Sequence, residues 1–386
     1  WSTYWPGFLP ALLISLLVLW KRRLLRLHVV QSHANIGHYL HDRQYYTPVA
    51  VLSVLLLTIP VITWVASAGW LARLHSQGAA YELGNALLNM ARLGLVFSVA
   101  YRLLAERGVA QVHLQWPPET VKFLRRRIAL AALVVWLLAL VVPLTQANLS
   151  LLSDDALGTL LLAAGFLALS ALMANMLLHD YGGQPLSWFA RALGMLFVAI
   201  PVIFVGALIA GYYYTVLQLG DRLLTTLALL MVWVICRAMV ERGLTIAARR
   251  LAWRRVQAMQ DEEEGDDLER EGLLPDIIQA NTQSLRLARF TLLVVLVVLL
   301  YWVWADVISL LTYLDNVLLY ESGASGGEQT QLSLRSLLDA LVIIGMTLML
   351  ARNLPGLLEV VFLSRFKITR GSSYATLRLL SYTIFS

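Results

Sequence analysis

The sequence predicts an all-α protein built from membrane-spanning helices. Of its 386 residues, 59% are hydrophobic and only 14% are charged, against about 25% charged in water-soluble chains; mean hydropathy is +0.69. Apolar runs of roughly 18 or more residues recur, each long enough to cross about 30 Å of hydrocarbon. The runs are continuous rather than alternating over about ten residues, which implies helices and not barrel strands. This composition excludes a soluble enzyme. The single cysteine, Cys236, excludes a disulfide framework and lies in an apolar run, where packing accounts for it.

Nine complete spans and the start of a tenth are expected. They fall near residues 4–20, 48–72, 81–105, 128–147, 156–178, 188–214, 223–240, 290–313 and 334–362, then from 374 onward. Aromatic rings mark several edges: Trp1, Tyr4, Trp5 and Trp20 bracket the first span, and Tyr212, Tyr213 and Tyr214 close the sixth. Such rings prefer the headgroup level and anchor helices there. The chain starts at Trp1 inside an apolar stretch and stops at Ser386, about a dozen residues into another. A parent protein longer on both sides is therefore expected.

Orientation follows from basic residues in short loops. One set of loops holds 25 of the 30 Lys and Arg, the opposite set only Arg73, Arg222 and Arg335, with Arg92 and Arg378 inside spans. The basic side is expected to be cytoplasmic, so the N-terminus is periplasmic.

The segment from 241 to 289 changes character halfway. Arg249, Arg250, Arg254 and Arg255 alternate at helical spacing with Leu251, Ala252 and Val256. A helix of this kind prolongs the seventh span and lies on anionic inner-leaflet headgroups, each basic residue contributing about 1 kcal/mol; a solvated helix extension is the plainer alternative. After it, eight of the 24 acids fall within eleven residues, Asp261 to Glu271. Such a block favours disorder, and the ligand spacing of a calcium loop is absent. Between Lys21 and Thr47, His28, His33, His38 and His41 cluster, but no Cys or Glu completes a metal set and Asp42 lies off the His38–His41 face. Partly exposed interfacial histidines are the plainer reading.

In the third span Asn85, Asn89 and Arg92 fall on one helix face. A polar face inside lipid looks toward another helix or a watery cleft. It fits interhelical hydrogen bonding, or else an ion path or the anionic-solute site of a secondary transporter. Asp339 sits four residues after Arg335, an i, i+4 pair near an interface. No nucleophile elbow, phosphate loop or zinc motif occurs, and no catalytic residue, cofactor, metal or nucleic-acid partner is expected.

Pro355 removes a backbone donor and Gly356 weakens the helix, so the ninth span should bend near its inner end. Arg352, Arg365, Lys367 and Arg370 then gather at the inner leaflet. The run Arg352-Asn353-Leu354-Pro355-Gly356-Leu357-Leu358-Glu359, with Leu363-Ser364-Arg365 and Gly371-Ser372-Ser373-Tyr374-Ala375, closely resembles the large mechanosensitive channels of the small-conductance superfamily. The potassium-dependent, KefA-type branch is the nearest and the miniconductance branch a close relative. The resemblance extends upstream through Ala247–Arg255, Asn281–Arg286 and Tyr313–Asp315, and covers 242–386 well.

The resemblance implies an eleven-span subunit of a homo-oligomer, a heptamer, that releases ions and small osmolytes on hypo-osmotic shock from a bacterial inner membrane. It divides the chain into a peripheral scaffold of seven spans (1–241), a cytoplasmic basic helix and acidic linker (242–288), the eighth span with a periplasmic loop (289–333), and a lipid-facing sensor pair (334–386). Arg352, Pro355, Gly356, Arg365, Lys367 and Arg370 would form a gating lever against membrane lipid. The pore helix and cytoplasmic vestibule would follow Ser386.

Overall fold

The computed structural model describes residues 8–34, 36, 42–74, 78–147, 156–179, 187–261, 285, 287–305, 318–321, 331–333 and 340. Helices dominate: α1 (Leu9–Ala34), α2 (Tyr46–Arg73), α3 (Ala79–Leu103), the single turn α4 (Val109–Val112), α5 (Pro118–Ala147), α6 (Ala156–Leu178), α7 (Trp188–Ile209) and α8 (Tyr213–Asp261). A further helix, α9, runs over Leu287–Ala305. Seven helices among the described residues are long and apolar enough to cross a membrane, namely α2, α3, α5, α6, α7, α8 and α9. The chain is thus a polytopic helical membrane protein. The first expected span is described only from residue 8, and α1 continues as helix through Lys21, Arg22 and Arg23. Apart from Ala340, the ninth span and the start of the tenth lie outside the described residues.

The chain divides into two compact units, Trp1–Gly243 and Leu244–Ser386. Within the second, the loop expected after the eighth span contains a small antiparallel ribbon, β1 (Leu318–Glu321) against β2 (Gln331–Ser333), with Tyr320 opposite Leu332. The ribbon adds two short strands to described residues that are otherwise helical, as the all-α expectation has it. Alternating Leu318, Tyr320 and Leu332 are strand-forming residues that a span-by-span reading of hydropathy leaves in the loop.

Within the first unit the core joins α3, α5, α6, α7 and α8 through buried Leu93, Val135, Leu138, Leu162, Phe166, Leu208 and Leu217. Phe204 meets Phe166 edge to face, centroids 5.4 Å apart. Outward faces are apolar as well: Leu133 is 67% exposed and Leu160 65%, as lipid-facing positions require. Since lipid is as apolar as leucine, close packing and not water exclusion holds such helices together. Small residues permit it. A Cβ on Gly84 would lie 2.6 Å from the Gly69 carbonyl oxygen, and one on Gly94 2.5 Å from Trp136 Nε1. Gly84→Ala is expected to lower stability by about 1–2 kcal/mol, because backbone atoms of Gly69 and Arg73, and not only the movable Arg73 side chain, block the added methyl; a detergent-unfolding titration checks it.

The α6–α8 region corrects two expected boundaries. The sixth span does not run to Tyr214. Gly211, at φ +87°, ends α7: its N–H donates to the Leu208 carbonyl (3.1 Å) and the Tyr212 N–H to the Ala207 carbonyl (2.9 Å), a Schellman closure with glycine at its left-handed position. Tyr213 then opens α8 ten residues earlier than expected. Arg222, which the charge count placed in an outer loop, and its neighbour Asp221 therefore lie inside the helix.

Candidate functional site

Two polar clusters cross the apolar interior of the first unit. The nearer to the start of α8 is built on α3. Asn89 Nδ2 donates to Asp221 Oδ1 at 3.1 Å, and Arg92 Nη2 donates to Asn89 Oδ1 at 2.7 Å and to Thr225 Oγ1 at 3.1 Å. Arg92 and Asp221 form an ion pair at 3.7 Å, and Asn85 donates to Glu82 one turn back at 3.4 Å. At 1.5 Å rise per residue, Arg92 sits about 20 Å along α3 and Asp221 about 12 Å along α8. The stripe Asn85, Asn89, Arg92 is thus brought against a second helix. The arrangement offsets Arg92's charge with a carboxylate and gives Asn89 and Arg92 partners across the α3–α8 interface.

The second cluster sits where the first unit's basic loops converge. Arg242 on α8 meets both carboxylate oxygens of Asp42 at 3.3 Å from Nη2, while Nη1 bonds Thr47 Oγ1 and lies 2.7 Å from His113 Nδ1. Thr47 Oγ1 is 3.3 Å from the same nitrogen. A guanidinium only donates, so His113 Nδ1 accepts and the ring hydrogen resides on Nε2. His113 is 1% exposed, and the Arg242 and Asp42 side chains are 11% and 16% exposed. Three stretches far apart in sequence are tied by one arginine: the segment before α2, the turn after α4, and α8.

Above this clamp lies a cavity of about 270 Å³, lined by Thr47, Val51, Leu103, Ala110, Ile128 and Met231 among others, almost entirely apolar. Thr47 belongs to both cavity wall and clamp.

Sequence reasoning found Asn85, Asn89 and Arg92 but missed Asp221, Thr225, Asp42, Thr47 and His113. The available signal was Asp221 and Thr225 at i, i+4 beside an apolar run, in register for one face. Of the basic stretch expected on lipid, Arg249 is exposed and Arg250 half-buried on α8; Arg254 and Arg255 lie on the same helix, their side chains outside the described residues. The lever residues Arg352, Pro355, Gly356, Arg365, Lys367 and Arg370 also lie outside them, as do His38 and His41; His28 and His33 lie on α1, their side chains outside the described residues. No group of three or more metal-ligating side chains occurs among the described residues.

Helices of this number and hydropathy place the chain in a membrane without saying which protein it is. The family model described as "Mechanosensitive ion channel inner membrane domain 1" matches residues 5–320. The chain belongs to that family. Among its relatives, Mechanosensitive channel MscK of Escherichia coli (strain K12) is 29% identical across the whole chain, which covers 36% of the relative. An uncharacterized MscS family protein of Haemophilus influenzae is 28% identical over 88% of the chain and 32% of its own length. Miniconductance mechanosensitive channel MscM of E. coli is 24% identical over 99% of the chain and 37% of its own length. The chain spans about a third of the length of these curated relatives. As a member of the mechanosensitive-channel inner-membrane family it is a multi-pass protein of the inner membrane, and the two polar clusters lie within the matched domain.

Proposed function

We propose that the chain is the peripheral membrane part of a tension-gated channel subunit that releases ions and small osmolytes on hypo-osmotic shock, and not an enzyme. The observation that carries this reading is the family match over residues 5–320, with similarity to two mechanosensitive channels along nearly the whole chain. The subunit assembles as a homo-oligomer, a heptamer, with a periplasmic N-terminus and basic loops on the cytoplasmic side. Nine complete spans and a tenth precede the pore helix.

Tension favours whichever state occupies more membrane area, so lipid-facing helices must move relative to the pore. The helices of the first unit, held by the Arg92 and Arg242 clusters, act as a stiff outer wing. The bent ninth span with Arg352, Pro355 and Gly356, and the basic hairpin with Arg365, Lys367 and Arg370, act as the lever on inner-leaflet lipid. Arg249, Arg250, Arg254 and Arg255 hold the extension of α8 at the same surface. Pro355→Ala, and separately neutralisation of Arg365, Lys367 and Arg370, are expected to shift the pressure at which the channel opens in patch recordings. Unchanged thresholds in both would remove the lever while leaving the channel.

The competing reading, a secondary transporter of an anionic solute using the Asn85–Asn89–Arg92 face, is disfavoured by the Asp221 carboxylate beside Arg92. That carboxylate already offsets the positive charge an anion would need. Substrate-dependent uptake into vesicles would favour that reading instead.

A further inference from the structure

The apolar cavity of the first unit is not explained by the clamps or by the proposed channel. Its walls come from the first turns of α2, the last turn of α3, the α4 turn, the early part of α5, the end of α6 and the second half of the membrane-spanning stretch of α8. These are the same ends of an up-and-down set of helices, so the cavity lies in one leaflet, at the end of the unit where Arg43, Arg102, Lys122 and Arg125 also lie. At about 270 Å³ the cavity far exceeds the roughly 10–15 Å³ that one water needs, and so has room for several methylene-sized groups. Water does not fill such a space, because a hydrated cavity needs polar partners and apolar ones stay dry or take up apolar ligands. Thr47 already bonds Arg242 and lies beside His113.

We infer that the cavity holds an acyl chain of an anionic phospholipid drawn from the adjoining leaflet. The chain would lie against Val51, Ala110, Ile128, Met176, Met231 and Met239, and methionines are suited to irregular, exchangeable apolar ligands. The charge at the rim selects the headgroup. Arg102 and Arg125 each adjoin a wall residue in sequence, Leu103 and Leu124, and Arg43 lies one turn before Thr47; Arg43, Arg102 and Lys122 are exposed. Arg125 is held in place by the Tyr101 ring, its guanidinium carbon 4.9 Å from the centroid. A phosphate at this rim would be met by several cations at once. The inference needs only the membrane setting and stands apart from the channel reading.

The test is photolabelling of the full chain in lipid nanodiscs with phosphatidylglycerol carrying a diazirine near the end of one acyl chain, followed by peptide mapping. Adducts are expected on Met176, Met231 and Met239 at several times the density found on outward residues such as Leu133 and Leu160. Filling the space with Ala110→Trp from one wall, or with Ala238→Phe from another should the first not fold, is expected to lower cavity labelling at least fivefold and leave outward labelling unchanged. Phosphatidylethanolamine with the same label should react several-fold less. Uniform labelling, labelling insensitive to both fillings, or equal labelling by the two headgroups would overturn the assignment.

Discussion

Arg242→Ala is expected to lower the stability of the full chain by about 3 kcal/mol, the scale for breaking a buried pair by removing one partner. The Asp42 carboxylate, 16% exposed, would lose its counter-charge, and Thr47 and His113 would lose a shared donor. Arg242→Lys should recover only part, because a single ammonium cannot fork between Asp42 on one side and Thr47 and His113 on the other. Removing both charges, Asp42→Asn with Arg242→Met, should cost clearly less than the sum of the single changes, as expected when the penalty is an orphaned charge rather than a lost attraction. Detergent-unfolding midpoints of the parent, of these variants and of the single changes Asp42→Asn and Arg242→Met check this. Additive losses would show that Asp42 and Arg242 act independently.

The second large effect is expected at the Arg92–Asp221 pair between α3 and α8. Asp221→Leu leaves Arg92 without a counter-charge on a helix inside the bilayer, where a charged side chain costs about 2.5–3.5 kcal/mol at the centre. Arg92 is 56% exposed from its neighbours and can reach toward the interface, so a loss of about 2 kcal/mol is expected. Adding Arg92→Leu should restore most of it, since the pair would be replaced by apolar residues of similar bulk. Asp221→Asn, which keeps an acceptor for Asn89, should fall between. If Asp221→Leu matched the parent in unfolding midpoint, the pair would have no structural role.

The spans were legible because a helix that crosses lipid must be apolar over a fixed length, and that requirement is written locally. α2, α3 and α6 therefore begin and end close to where hydropathy places them. α5 begins about ten residues before its apolar run, with Pro118 at its first position and Lys122, Arg125 and Arg126 in its opening turns. Hydropathy sees only the part inside the bilayer, whereas the backbone stays helical into the basic loop. The α7–α8 boundary failed for a different reason. Asp221 and Arg222 look like loop residues until a partner for the carboxylate is known, and Arg92 lies 129 residues earlier in the chain. The same distance in sequence hid the second cluster: Arg242 meets Thr47 and His113 from 195 and 129 residues away. Single-helix periodicity identifies a polar face; it does not identify what faces it.

The central claim is that these helices form the outer membrane part of a valve opened by tension. The most direct measurement is single-channel recording from the full-length protein, purified and reconstituted in liposomes, under stepped suction. The account predicts discrete conductance steps that appear above a reproducible pressure and vanish on its release. Patches that contain the protein and remain silent up to the rupture pressure of the bilayer would contradict it.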